Sequence, residues 1–299
     1  MRGRRASVGM VERADAIIIG GGPAGLLAAV YLARFRRRVI VIDGGKSRAA
    51  LIPRTQNAPG FPDGVEGEEL LQRLRVQAAS YGAEIVSAAA EHVRQGERGF
   101  ALRTSMGEFA GDAVLLATGV ANVEPQVENH DEAVRRGLIR YCPICDASEV
   151  IGKRVAVLTN CERGIGEFDF LRTYTDTIEL IADSEAAAAE LRARNADYDV
   201  ARMVRCVDDV QVALADGSTR SFDTLYSCLG VTPQTALAQE LGVALAAERT
   251  IEVDKHQRTN VASVLAAGDV VHALDQIAVA FGHAAIAATT IHNDLRARD

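Results

Sequence analysis

"ADAIIIGGGPAGLLAAVYLARFRRRVIVID", residues 14–43, reads as strand, glycine turn, helix and strand. Residues 17–19 form an apolar run of strand length, and the alanine- and leucine-rich segment after Pro23 has the composition of a helix. "RRVIVID" is a short β-branched run that ends in an acid. Gly20, Gly22 and Gly25 make a G-x-G-x-x-G between strand and helix, and Asp43 closes the next strand. In that context the glycines are a dinucleotide fingerprint. The first permits a tight turn, the second lets backbone N–H groups approach a pyrophosphate, and the third lets helix pack on strand. The helix N-terminus offers donors and a positive dipole end to phosphate, while Asp43 is placed to accept from a ribose diol.

At 299 residues the chain is long enough for two domains. Its 48% hydrophobic and 24% charged residues are those of a soluble globular protein. A net charge of −7 with no long basic run argues against nucleic acid as a partner. "MRGRR" is followed by no apolar h-region and does not read as a secretory signal. Runs such as "GLLAAVYLA" (25–33) are too short to span a bilayer, so no membrane partner is expected. Five cysteines in a chain of this size do not make a disulfide-stapled secreted scaffold. The expectation is a cytoplasmic protein with a disordered extension over residues 1–12.

A weaker copy of the opening plan follows. "KRVAVLT" (153–159) reads as a strand, "GEFDFLRTYT" as a helix, and "TIELIAD" (177–183) as a strand ending in an acid. "VQVALADGSTRSFDTLYSCLG" (210–230) echoes "FALRTSMGEFAGDAVLLATG" (100–119), with Gly230 on Gly119 and Asp223 on Asp112. Such self-similarity predicts two related nucleotide-binding modules. The C-terminal stretch reads as a strand, a turn at Gly268 and Asp269, and a long alanine-rich helix.

"RYCPICDASEV" (140–150) holds a CxxC pair followed at once by Asp146. A zinc ribbon needs a second pair, but the position three after Cys161 is Gly164, and the histidines lack ligand spacing, so no metal site is expected. A structural disulfide is unusual in a cytoplasmic chain, and two-residue spacing closes too small a loop to constrain much. Redox chemistry is the better reading. It needs two thiols able to close a disulfide, one of them with a depressed pKa. "DASEV" can begin a helix whose N-terminal donors favour a thiolate. Asp146 is placed to pass a proton to and from the leaving thiolate, or to cap that helix.

Together, "GGGPAG" (20–25), "LLATG" (115–119), "CPICD" (142–146), "CLGVTP" (228–233) and "AAGDV" (266–270) resemble the low-molecular-weight thioredoxin reductase family, in order along nearly the whole chain. The resemblance implies an α/β fold with two three-layer Rossmann-like dinucleotide-binding modules. A discontinuous FAD domain (13–120 and 247–299) would carry an inserted smaller domain (121–246) bearing the CxxC. It implies a homodimer and a domain rotation that exposes the dithiol alternately to flavin and to a disulfide protein. Gly20, Gly22, Gly25 and Asp43 would hold the pyrophosphate and ribose of FAD, with Gly119 and Gly268 in the matching motifs. Asn57 would lie close to the flavin, Asp269 against the ribityl or phosphate part, and Gln276 at the pyrimidine edge. The pattern assigns Cys145 to the flavin side, in charge-transfer contact, and Cys142 to attack on an outside disulfide. Two departures are visible: Asp275 stands where the family has arginine, and Ala147 where it has glycine.

The second module departs further. Its three glycine positions are Thr159, Cys161 and Gly164, so side chains stand where a pyrophosphate approaches the backbone. Asp183, Ser184 and Glu185 occupy the place of the basic cluster that clasps the 2′-phosphate of NADPH, and would repel it. The expected protein is an FAD-dependent thiol–disulfide oxidoreductase that uses NAD(P)H poorly, its electrons coming from a ferredoxin or a second flavin. The alternatives are a flavin dithiol oxidase passing electrons from a small dithiol to O₂, an ordinary NAD(P)H-dependent thioredoxin reductase, and a non-catalytic FAD-binding redox sensor.

Overall fold

The computed structural model describes residues 12–192 and 199–298. The expected extension lies outside the described residues except for Glu12, and part of the "ELRARN" run (190–195) lies outside them too. The chain opens with β1 (Glu12–Ile19), α1 (Pro23–Arg34), β2 (Val39–Asp43), α2 (Gly67–Ser80), β3 (Glu84–Ser87), β4 (Ala90–Gln95), β5 (Phe100–Thr104) and β6 (Gly107–Leu116). Next come β7 (Val120–Asn122), α3 (His130–Arg135), β8 (Ile139–Arg140), α4 (Pro143–Asp146), β9 (Val155–Thr159), α5 (Arg163–Leu171), β10 (Ile178–Ala182) and α6 (Glu185–Arg192). The rest is β11 (Asp199–Cys206), β12 (Val210–Leu214), β13 (Thr219–Phe222), β14 (Thr224–Cys228), β15 (Val231–Pro233), α7 (Ala236–Glu240), β16 (Val264–Ala266) and α8 (Ile277–Arg296).

Two compact units result. The first comprises Met1–Ser47, Leu71–Gly119 and Pro233–Asp299, the second Arg48–Leu70 and Val120–Thr232. Residues 48–70, which the sequence reading places in the FAD domain, group with the second unit. There Leu51 packs on the cluster that includes Ala133, Ile139 and Leu225.

In the first unit the strand order is β3-β2-β1-β6-β5-β4, with β16 also on β6. β6 pairs with β1 in parallel along its length, with β5 antiparallel at its start and with β16 parallel at its end. Strands buried on both faces need continuous apolar runs, which is why β2 is buried at all five positions. On one face α1 and α8 meet through alanines, Ala24, Ala28 and Ala29 against Ala280, Ala284, Ala287 and Ala288, small side chains that let two helices share one sheet face. The other face is covered by a second cluster that includes Phe100, Phe109, Val243 and Val271.

The second unit repeats the plan in the order β13-β12-β11-β10-β9-β14-β8. β9 takes the place of β1, with β10 parallel on one side and β14 parallel on the other. The sequence echo has a physical counterpart: Asp112 pairs with Arg13 on β1, and Asp223 accepts from the Arg154 backbone N–H at 2.7 Å beside β9. In both units the strand order reverses at the first strand, and open α/β sheets place ligands outside the carboxyl ends at such a switch point. The fold is therefore the expected α/β pair of Rossmann-like modules.

Two element boundaries differ from expectation. α5 begins at Arg163, three residues before the expected start, because Gly164 N–H and Ile165 N–H already turn back onto Cys161 and Glu162. The helix of the CxxC region begins at Pro143 rather than at Asp146, because proline at N1 fixes φ for the first turn. It lasts one turn and passes into a 3₁₀ turn over Ala147–Val150.

A Cβ on Gly25 would stand 1.9 Å from the Gly20 carbonyl oxygen, so even a methyl group separates α1 from β1. Gly25→Ala is expected to destabilise the protein by about 1–3 kcal/mol, the usual range for overpacking. Chemical denaturation checks this, and an unchanged midpoint would show that α1 can slide on the sheet.

Candidate active site

Cys142 and Cys145 are joined by a disulfide, with Cα atoms 5.3 Å apart. The loop follows from its residues. Cys142 is extended (φ −138°, ψ 91°) and caps α4, Pro143 is buried beneath it, and the Cys145 N–H donates to the Cys142 carbonyl at 2.9 Å. Both cysteines are half-buried, while Ile144 between them is 57% exposed, so the turn presents an apolar tip to solvent. Ala147 needs no glycine conformation: φ is −57° and ψ −30°. Its methyl group packs with Val150, Val155 and Tyr226.

Asp146 follows on the last position of α4. Its Oδ1 accepts from the Tyr226 hydroxyl at 2.6 Å and its Oδ2 from Arg140 Nη1 at 2.8 Å. The same Nη1 donates to Glu149 Oε2 at 2.8 Å. Strand register explains the convergence, since β8 and β14 pair in parallel with Arg140 opposite Tyr226. Burial raises the Asp146 pKa above the usual carboxylate range, opposed by the Arg140 charge and the Tyr226 hydrogen bond and reinforced by Glu149. Burial also drives the Tyr226 phenol far up, with Asp146 adding to it. Arg140, Glu149 and Tyr226 are absent from the sequence reading. The only local hint is the placing of Arg140 and Glu149 within ten residues around the CxxC.

The residue before Cys142 is anchored as well. The Tyr141 hydroxyl lies 2.5 Å from His130 Nε2, and His130 Nδ1 lies 3.0 Å from Asp131. Burial, then Glu124 and Asp131, push the Tyr141 pKa up, so its hydroxyl stays protonated. The chain thus enters the CxxC through two side chains fixed by hydrogen bonds.

In the first unit, Gly20, Asp43, Gly119, Gly268 and Asp269 come together at the carboxyl edge of the sheet. Gly20 N–H donates to Ile42 O at 2.9 Å, Ala117 N–H to Ile19 O at 2.9 Å and Ala267 N–H to Leu116 O at 3.0 Å, tying four strand ends into one rim. Asp43 is buried, with Oδ1 on the Gly45 N–H at 2.8 Å and Oδ2 on Arg75 at 3.3 Å. Leu26 N–H is the first in α1 to bond back, to Gly22 O at 3.0 Å. The amides of Gly22, Ala24 and Gly25 meet no acceptor among the described residues. A group of unpartnered N–H groups beside a buried acid suits the diphosphate and ribose of a dinucleotide. Gln276 caps α8 near this rim, where a Cβ on Gly268 would come within 4.0 Å of Ala280. His283, which sequence reading sets aside, hydrogen-bonds the Gly268 backbone, and burial lowers its pKa. Asn57 lies in the second unit, exposed, with its Oδ1 on the Thr55 hydroxyl at 2.8 Å.

The corresponding turn of the second unit is built differently. Thr159 is fully buried, and its side chain stands where a Cβ on Gly164 would be, 2.0 Å from Oγ1. Its hydroxyl donates to Cys161 O at 2.9 Å and accepts from Cys161 N–H at 3.2 Å. Gly164 N–H bonds Cys161 O at 3.1 Å and Ile165 N–H bonds Glu162 O at 3.0 Å. Asp183 ends the next strand region with a buried Oδ1 that has no partner among the described residues. No metal-ligand cluster occurs among the described residues, and none of their helices is long and apolar enough to cross a membrane.

A family model described as pyridine nucleotide-disulphide oxidoreductase matches residues 14–158 and 170–284. The thioredoxin reductase of Treponema pallidum is 30% identical over 86% of this chain and 88% of its own. The crystal structure of HlmI superimposes with a TM-score of 0.83 at 26% identity, covering 99% of this chain and 95% of that one. The atypical thioredoxin reductase TRi of Desulfovibrio vulgaris Hildenborough is 30% identical, with a TM-score of 0.55 over 94% of this chain and 98% of that one. The chain therefore belongs to the pyridine nucleotide-disulphide oxidoreductase family, as a flavoprotein disulfide oxidoreductase of the low-molecular-weight thioredoxin reductase type.

Proposed function

We propose that this protein exchanges electrons between FAD and the Cys142–Cys145 disulfide without efficient use of NADPH. FAD, when bound, supplies the two-electron store. The unpartnered amides of Gly22, Ala24 and Gly25 would face its pyrophosphate, and Asp43 its ribose. Gly20, Gly119, Gly268, Asp269 and Gln276 would line the same rim, while Asn57 is assigned to the flavin by resemblance alone. By the resemblance, Cys142 would attack the outside disulfide, Cys145 would be the sulfur on the flavin side, and Asp146 would give and take the proton of the leaving thiolate. A thioredoxin-like disulfide protein is the substrate favoured by the relatives. The resemblance also carries a cytoplasmic homodimer, which light scattering of the purified protein tests.

The observation that carries the donor half is Thr159. It turns the phosphate-facing amide of Cys161 inward and fills the gap over Gly164. A 2′-phosphate about 5 Å from the Asp183 carboxylate meets a repulsion of roughly 3 kcal/mol at an effective dielectric near 20, a loss of about a hundredfold in affinity. The unpartnered Asp183 Oδ1 suits a ribose hydroxyl instead, so NADH is the stronger of two weak candidates. Electrons would come from another donor, such as a ferredoxin or a second flavin.

Anaerobic titration of the flavoprotein with NADPH, then NADH, is expected to leave the flavin absorption near its starting value, while dithiothreitol bleaches it. Rapid bleaching by modest NADPH would overturn the reading of Thr159 and return the protein to the nicotinamide-driven reductases. The cysteine assignment has its own check. Cys145→Ser should trap a mixed disulfide between Cys142 and a thioredoxin-like substrate, visible by mass spectrometry, and Cys142→Ser should not. Trapping by Cys142→Ser alone would reverse the two roles.

A further inference from the structure

Asp146 carries the proton in the proposed chemistry, and the role inferred for its neighbours rests on that reading. Its surroundings are more than a carboxylate beside a disulfide. One guanidinium nitrogen, Arg140 Nη1, holds two carboxylates, Asp146 Oδ2 and Glu149 Oε2, at 2.8 Å each. The side chain of Arg140 is 11% exposed, that of Asp146 21% and that of Glu149 33%. Arg140 Nε is buried without an acceptor among the described residues, so the cation spends its contacts on one nitrogen. Tyr226, completely buried, donates its hydroxyl to the other Asp146 oxygen. The cluster has three anchors: β8 holds Arg140, β14 holds Tyr226, and the 3₁₀ turn holds Glu149. Helix α5 also packs on α4; there Arg163 pairs with Glu167 Oε1 at 3.0 Å and Asp169 with Arg172 at 3.9 Å, while Glu167 Oε2 is buried without a partner among the described residues.

We propose that Glu149, through Arg140, and Tyr226, by its direct hydrogen bond, are positioning residues that set in opposite directions how readily Asp146 gives its proton to the thiolate leaving the Cys142–Cys145 disulfide. Glu149 competes for the guanidinium and adds a like charge, so it keeps the Asp146 proton on. Tyr226 donates to the ionised carboxylate, so it takes the proton off. One cation facing two carboxylates leaves an excess negative charge in a partly buried site, which one proton relieves.

The step balances. An incoming thiolate attacks one sulfur, a new S–S bond forms, and the Cys142–Cys145 bond breaks. The electron pair leaves on the released sulfur, the Asp146 proton moves to it, and Asp146 regains a proton from solvent. A second thiol of the reductant then completes the exchange, releasing an oxidised dithiol. The reductant in the test is dithiothreitol.

The test reads the rate at which dithiothreitol reduces the disulfide in the full protein, corrected for dithiothreitol thiolate and followed by rapid alkylation and mass spectrometry. This readout needs no flavin turnover. The wild-type rate should fall as pH rises through the Asp146 titration, because the acid form is lost. Glu149→Gln should move that midpoint down by about one pH unit, and Tyr226→Phe should move it up by about one. Both substitutions are close to isosteric, and Glu149→Gln touches a partly exposed side chain, so the pair remains informative even if Tyr226→Phe loosens the core. Asp146→Asn should abolish the titration. If Asp146→Asn keeps it, the reading of Asp146 as the proton group fails. If Asp146→Asn abolishes it but Glu149→Gln leaves the midpoint in place or raises it, the positioning role of Glu149 fails. A Tyr226→Phe midpoint that moves down with that of Glu149→Gln overturns the proposal as well.

Discussion

Each half of this molecule turns on the contact between the end of its first parallel strand and the start of the following helix. In the first unit the gap is closed by backbone: a Cβ on Gly25 would lie 1.9 Å from the Gly20 carbonyl oxygen. Helix and strand can approach so closely only because neither carries a side chain there. The approach leaves the helix N-terminal amides of Ala24 and Gly25 without acceptors among the described residues. In the second unit the same gap is closed by the Thr159 side chain, which meets the Gly164 position at 2.0 Å. The sheet order survives this substitution, because the parallel pairing of β9 with β10 and β14 depends on buried aliphatic residues and not on the turn. Sheet order and turn packing are therefore separable, and two turns on one shared plan differ in their contacts while sharing architecture.

Closing the gap with backbone in one unit and with a side chain in the other has opposite effects on the turn amides. Amides without a partner are costly unless solvent or a ligand satisfies them. Around Gly22 that cost is the other face of affinity, since those groups can turn to a diphosphate. Around Cys161 the Thr159 hydroxyl and the carbonyls of Cys161 and Glu162 take up the donors internally. A turn satisfied from within has less to gain from an anion.

The first glycine loop was legible because all of its information lies within thirty residues: strand, glycines, helix and terminal acid succeed one another. The CxxC and Asp146 were legible for the same reason. The partners of Asp146 were not. Tyr226 is 80 residues away in sequence, and it reaches Asp146 only because β14 is inserted between β9 and β8 in register with Arg140. No periodicity in "DTLYSC" distinguishes that tyrosine from a core residue. Ala147 shows the reverse case. The sequence marks it as a departure from a family glycine, yet its φ of −57° is ordinary helical backbone. A missing glycine carries consequence only where the conformation or the space demands one, and that demand is visible at Gly25 and not at 147.

The disulfide turn is a short element held from both sides. A helix of four residues makes too few internal hydrogen bonds to hold its own shape in water. Here Pro143 fixes its first φ, Ala147 and Val150 are buried behind it, and Tyr141 is held by His130 ahead of it. Arg140 then reaches over from β8 to fasten Asp146 and Glu149, on either side of the junction between helix and 3₁₀ turn. Two half-buried sulfurs on so short an element need a frame outside it. The polar cluster of a cation, two acids and a phenol supplies a frame of that kind on the C-terminal side of the turn.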